Sequence, residues 1–215
     1  VVKDMEEKVI EDIISYSLTN IASDCDYLQI SLVSGGEPLL NLDVMNHINQ
    51  IVDKYHKGIK RKIFIASNMT VLNEKHIAFF DDIKPQIAIS IDGPREVHNS
   101  MRVYKDGNGT YDDVVRNIQK LKDDCIITKT KGLMFMVVVT EKNLDLVNVL
   151  EHHLKLGAKS VQMKVSRGDE SKYGISEENV SLFIDSYQKL IDYLLEQYIN
   201  KNMEPLLALI NGNDT

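Results

Sequence analysis

Between Val33 and Asn41 the chain reads Ser34-Gly35-Gly36-Glu37-Pro38-Leu39-Leu40, two glycines followed at once by a carboxylate and a proline. Gly35 and Gly36 carry no side chains, so the backbone there can come within van der Waals distance of a ligand. Glu37 can accept hydrogen bonds from an ammonium group, and Pro38 fixes φ so that the turn holds its shape before a ligand arrives. Taken alone, the same residues suit a tight turn with a solvated acid. Further polar groups follow in Ser67-Asn68-Met69-Thr70 and in Ser90-Ile91-Asp92-Gly93-Pro94. Residues 93–109 show no periodicity and hold His98, Arg102 and Lys105-Asp106-Gly107-Asn108-Gly109; aperiodic stretches of that length inside compact domains are often functional. One by one, each has a plain alternative. Ser67 and Asn68 suit bonds to their own loop, Asp92-Gly93-Pro94 suits a strand-ending turn, and His98 suits a surface loop. The other five histidines, among them the pair His152 and His153, fall at helical positions without ligand spacing and read as surface or satisfied. Cys25 and Cys125 stand a hundred positions apart and form neither a metal spacing nor a disulfide framework.

The elements that must carry these residues follow from the hydrophobic pattern. Helical spacing predicts amphipathic helices over 4–18, 41–58, 73–82, 110–121, 144–156 and 176–198. Asn41, Thr110 and Ser176 are the expected N-caps, and Gly58 and Gly157 the expected ends. Apolar runs predict strands over 26–33, 62–66, 86–91, 133–139 and 159–165; beyond Pro205 only an apolar remnant is left. A helix followed by five strand-helix alternations means βαβ units and a parallel sheet. Right-handed crossovers place every strand's C-terminal end on one side, where such folds build their sites. Glu37, Ser67, Asn68, Ser90, Asp92 and Ser166 all fall at such ends, so they are expected to converge on one mouth.

Composition narrows the function further. With 215 residues, 43% hydrophobic and 27% charged, the chain suits one soluble domain. A formal net charge of −7 argues against a nucleic-acid partner, and the short basic runs at 57–62 and 129–131 read as solvated edges. No apolar stretch approaches the roughly 20 residues that span a bilayer, and no signal peptide is present, so no membrane partner and a cytoplasmic location are expected. The chain opens Val1-Val2-Lys3 with a helix already under way, and reads as an excerpt.

Ser34 to Leu40, Ser67-Asn68-Met69-Thr70, Ser90-Ile91-Asp92-Gly93-Pro94, His98, Asn99, Arg102 and Gly107-Asn108-Gly109-Thr110-Tyr111, in that order, resemble the radical SAM superfamily. Within it the pattern is most similar to the branch of anaerobic sulfatase-maturating and SPASM-type peptide-modifying enzymes. The resemblance runs from about Ile10 to Val165. It implies an α/β fold, a partial (β/α)6 TIM-like barrel, here a fragment lacking the first strand, with residues 1–215 as a single core domain. It also implies S-adenosylmethionine beside a 4Fe-4S cluster, a peptide or protein substrate, and an electron donor such as a flavodoxin or ferredoxin. By that resemblance Gly35, Gly36, Glu37 and Pro38 receive the methionine ammonium, and Ser90 the ribose and carboxylate. Arg102 meets the carboxylate, with Arg116 a weaker candidate, and Ser67 and Asn68 lie beside the cofactor. Asp92 and His98 can face cofactor or substrate. The family's Cys-xxx-Cys-xx-Cys cluster loop is missing, and so is the cysteine-rich C-terminal region of the SPASM branch. These absences leave two expectations: the middle of a larger enzyme, or a cluster-less barrel acting as a peptide-binding module. The chain alone is expected to be inactive.

Overall fold

Apolar residues recurring every three to four positions build α1 (Glu7–Tyr16), extended by a π turn over Ser17–Ile21, and α2 (Leu42–Tyr55). Ile10, Ile14 and Leu18 of the first pack on Ile51 and Val52 of the second, with Leu28 and Ile30 of β1 (Tyr27–Leu32) against them. The computed structural model describes residues 5–21, 25, 27–33, 36–55, 60–166 and 174–213. Gly58, expected to end α2, lies outside that set, as do Ser34 and Gly35. Within the set follow β2 (Lys60–Ser67), α3 (Glu74–Ile83), β3 (Gln86–Ser90), α4 (Arg95–Met101), α5 (Tyr111–Asp124), α6 (Ile126–Lys131) and β4 (Leu133–Val139). The order is completed by α7 (Leu146–Lys155), β5 (Ala158–Val165), α8 (Val180–Ile199) and α9 (Glu204–Asn213).

The five strands form one parallel sheet in the order β1-β2-β3-β4-β5, an open and partly wound barrel wall. Parallel strands need a crossover between neighbours, and helices supply it throughout. The largest core cluster lies between β2 to β5 and the helices behind them, around Ile65, Phe80, Ile89, Phe135, Leu121 and Leu150. Because side chains alternate between the two faces of a strand, the register sorts them. Phe64 stands beside Gln86, Ala88 beside Met134, and Ser90 beside Met136, all on one face. Ser67 stands beside Ile89 on the other face, under the helices.

Three features differ from the sequence expectation. The aperiodic stretch 93–109 contains α4 and then a bridge pairing Val103 with Gly109; a seven-residue helix is too short to show a period. After Pro205 the chain is helical, because α9 places the proline in its first turn, where a missing N–H costs nothing. Ser176 precedes a 3-10 turn over Glu177–Asn179 and makes no side-chain cap, and α8 starts only at Val180. Asn41 does cap α2, accepting from the Val44 amide at 3.2 Å. Among the described residues no helix is long and apolar enough to cross a membrane.

Candidate functional site

The C-terminal ends of β1 and β2 meet through Glu37. Its carboxylate accepts from the Leu39 amide (3.1 Å), the Ser67 hydroxyl (2.7 Å) and the Asn68 amide (2.7 Å). The acid is therefore the N-cap of the 3-10 turn Pro38–Leu40 and a clasp between two strands. A carboxylate offers about four acceptor positions, so one on Oε2 remains. Gly36 is exposed at φ 157°, and a Cβ there would meet nothing within 4 Å. The position thus asks for glycine by backbone conformation, while crowding plays no part. Ser67 Oγ also takes the Met69 amide (2.8 Å), and Asn68 Oδ1 takes the Thr70 amide and hydroxyl (3.0 and 2.8 Å). Both residues do bond their own loop.

A second assembly lies beyond β3. Asp92, 1% exposed, pairs with Arg102 through Nε (2.5 Å) and Nη2 (3.4 Å), and its Oδ1 also accepts from the Val138 amide at 3.0 Å. Asn143 clamps the same place, donating to the carbonyls of Asp92 (3.1 Å) and Val138 (2.9 Å). His98 is fully buried beneath it. Its Nδ1 accepts from the Asp92 amide (3.3 Å) and its Nε2 meets the Thr110 hydroxyl (2.9 Å). That hydroxyl is the one expected to cap α5; it is spent on His98 and on the Arg102 carbonyl instead, and caps nothing. Arg116 lies on the solvent side of α5, paired with Asp113, away from this assembly.

Ser90 stands between the two groups, half-buried on the concave face of the sheet beside Met136. Among the described residues its hydroxyl has no hydrogen-bond partner. The structure thus brings Glu37, Ser67 and Asn68 into contact, and separately Asp92 and Arg102, with Ser90 open between them. The groove of about 560 Å³ at this end is lined by Leu32, Val33, Gly36, Glu37, Pro38 and Met45 among others, without Ser67, Ser90 or Arg102. Three supporting residues escape the sequence reading. Asn117 holds the Met69 carbonyl (2.9 Å), His76 holds the Leu39 carbonyl (2.8 Å), and Asn143 holds the end of β4. Asn143 and His76 leave a local trace, the Thr140 to Asn143 capping pair just after β4 and the Asn73 to His76 pair at the start of α3.

His98 has its pKa pushed down to about 4 by burial, against a smaller opposing pull from Asp92. His152, against the Tyr111 hydroxyl at 3.1 Å, is lowered to about 4 by the same cause. His153 is buried with Nδ1 on the Val149 carbonyl and Nε2 on that of Ile91 (2.5 and 2.8 Å), and burial lowers it too. For His98 the unfolded chain binds a proton near pH 6.5 and the folded one only near 4. Stability therefore falls as pH drops through that window and the His98 share levels off below it. The melting temperature should decline across pH 6.5 to 4 and decline less in His98→Gln; equal slopes in the two proteins would refute the assignment.

The comparisons with known proteins concern the family and the fold. The family model for the Radical SAM superfamily matches residues 5–152. An uncharacterized protein of Methanocaldococcus jannaschii is 27% identical over 217 residues, covering 99% of this chain and 71% of that protein. A cysteine-type anaerobic sulfatase-maturating enzyme of Clostridium perfringens is 24% identical over 92% of this chain, which spans 53% of that enzyme. Among solved structures, native anSMEcpe with bound AdoMet and the Kp18Cys peptide superposes with a TM-score of 0.77 at 21% identity, covering 92% of this chain and 54% of that one. The chain therefore spans about half the length of the Clostridium perfringens maturase.

Proposed function

Because the chain belongs to the radical SAM superfamily, we propose that it is the core segment of an enzyme that uses S-adenosylmethionine to modify a peptide or protein side chain. The structural observation that carries the cofactor assignment is Ser90, a hydroxyl without a protein partner on the concave face, between the Glu37 clasp and the Asp92 assembly. A solved structure of the same fold with bound AdoMet and a peptide supports the class of cofactor and substrate. Sulfatase maturation or thioether crosslinking of a small peptide are the reaction types this reading favours.

The residues fit the cofactor. Gly36 offers an open backbone, and the remaining acceptor position of Glu37 suits the methionine ammonium. Ser90 can hydrogen-bond the ribose or the carboxylate. Arg102 commits Nε and Nη2 to Asp92, which leaves Nη1 for a carboxylate and fixes the plane from which it reaches. Ser67, 2% exposed, acts through Glu37. Bound together in the parent enzyme, S-adenosylmethionine and a reduced 4Fe-4S cluster supply a 5'-deoxyadenosyl radical that abstracts hydrogen from the substrate. The cluster itself does not fit these 215 residues. Their two cysteines cannot provide three thiolates, and Cys125 is buried against Asp81. No group of three or more metal-ligating side chains occurs among the described residues. In this reading the thiolates, and the docking of a flavodoxin or ferredoxin, belong to the parent.

Anaerobic reconstitution of the full-length protein with iron and sulfide, then assay for 5'-deoxyadenosine, tests the proposal. Formation of 5'-deoxyadenosine supports it, and a loaded protein that makes none refutes it. The chain alone should bind S-adenosylmethionine weakly and cleave none.

A further inference from the structure

At the end of the sheet opposite Glu37 and Ser90, two adjoining depressions of about 340 and 350 Å³ open at the N-terminal ends of β3, β4 and β5. They share Thr128, Lys131, Gly132 and Leu133 as a common wall. Lys62, Lys84 and Lys131 line the first, and Lys122, Lys129, Lys131 and Lys159 the second. Neither is lined by a carboxylate, although the whole chain carries a formal charge of −7. Such segregation leaves a local positive field on an acidic protein.

Part of this lysine set has a structural duty. The ammonium groups of Lys122, Lys129 and Lys131 reach the carbonyls of Leu156, Asp123 and Lys84, so they cap chain ends. An ammonium has three donors, however, and each cap uses one. Lys84 and Lys159 form no ion pair among the described residues, and Lys62 lies over the Tyr27 ring at 4.1 Å. The nearby acid Asp81 is turned onto the Ile126 and Ile127 amides (2.8 and 3.1 Å) and neutralises none of them. A second, independent observation comes from the floor of the first depression. The Ser160 hydroxyl is buried there without a partner, on the same sheet face as Met134, and an orphaned buried hydroxyl is a polar group open to a further partner.

We propose that this double depression docks an acidic polypeptide segment, with its carboxylates on the lysines. An extended segment is favoured over a phosphate group by the layout. The positive charges are spread over two hollows, all are lysines, and helix C-termini rather than N-termini point at the site, which disfavours a concentrated anion. The basic run at 129–131 and Lys62, which the sequence suggests are solvated edges, are then parts of one surface.

The test is fluorescence anisotropy of a labelled peptide of alternating glutamate and leucine, titrated with the chain at low salt. Saturable binding that weakens with added salt is expected, and Lys62→Glu with Lys84→Glu should weaken it about tenfold, given about 1 kcal/mol or less for each exposed pair. Lys84→Gln with Lys159→Gln, checked by circular dichroism, guards against a folding defect and should weaken binding in the same direction. Failure to bind the peptide, equal binding by all variants, or tighter binding of tripolyphosphate that displaces the peptide would each overturn the proposal. None of these readouts depends on S-adenosylmethionine, so the result stands apart from the cofactor assignment.

Discussion

Arg102→Ala should lower stability by about 3–5 kcal/mol, because it strands a carboxylate that is 1% exposed. Asp92 would keep the Val138 amide but lose both guanidinium contacts. The loss shows as a shift of the urea midpoint at constant slope. The partner variant makes the argument specific. Adding Asp92→Asn to Arg102→Ala removes the unpaired charge and keeps an acceptor for Val138, so the double variant should be more stable than Arg102→Ala alone. Two additive losses of under 1 kcal/mol would show that the pair is an ordinary surface contact.

Glu37→Ala should cost about 2–4 kcal/mol, since three donors lose their acceptor at once and two of them, on Ser67 and Asn68, belong to the neighbouring strand end. Glu37→Gln is the sharper variant. Its amide oxygen can still take two donors, but its NH2 group must then face a backbone or hydroxyl donor, so the near-isosteric change should also destabilise the protein. Under the proposed function both variants lose the acceptor for the methionine ammonium, and in the reconstituted full-length enzyme they should raise the S-adenosylmethionine requirement at least tenfold. A Glu37→Ala protein within about 0.5 kcal/mol of the parent would show that the clasp does not hold the strands.

The alternation of strands and helices is legible in the sequence because each unit carries its own local period. The run at 133–139 needs no distant information to read as a covered strand, and it is β4. Short helices such as α4 and α6 escape because two turns show no repeat. The site is legible in residue types and order, less so in its contacts. That Ser67 and Ser90 fall on opposite faces follows from register, which depends on how strands pair and not on either residue's neighbours. Asp92 reads as a turn residue because its partners, Arg102, Val138 and Asn143, lie 10, 46 and 51 positions on. His98 reads as a loop residue because burial is a property of the packed helix above it, invisible in a sequence of seven residues with two apolar members.

The strand order of this sheet is the chain order, β1 through β5 without a skip. Every strand therefore pairs with the one synthesised just before it, and no pairing waits for a segment still to be made. A chain growing from its N-terminus can thus assemble vectorially, each new βα unit adding to an edge already in place, and each closure spans one short crossover and not the whole domain. For a parallel sheet, whose long-range pairings are slow to form and expose sticky edges meanwhile, that ordering confines growth to the edge of the newest strand at each stage.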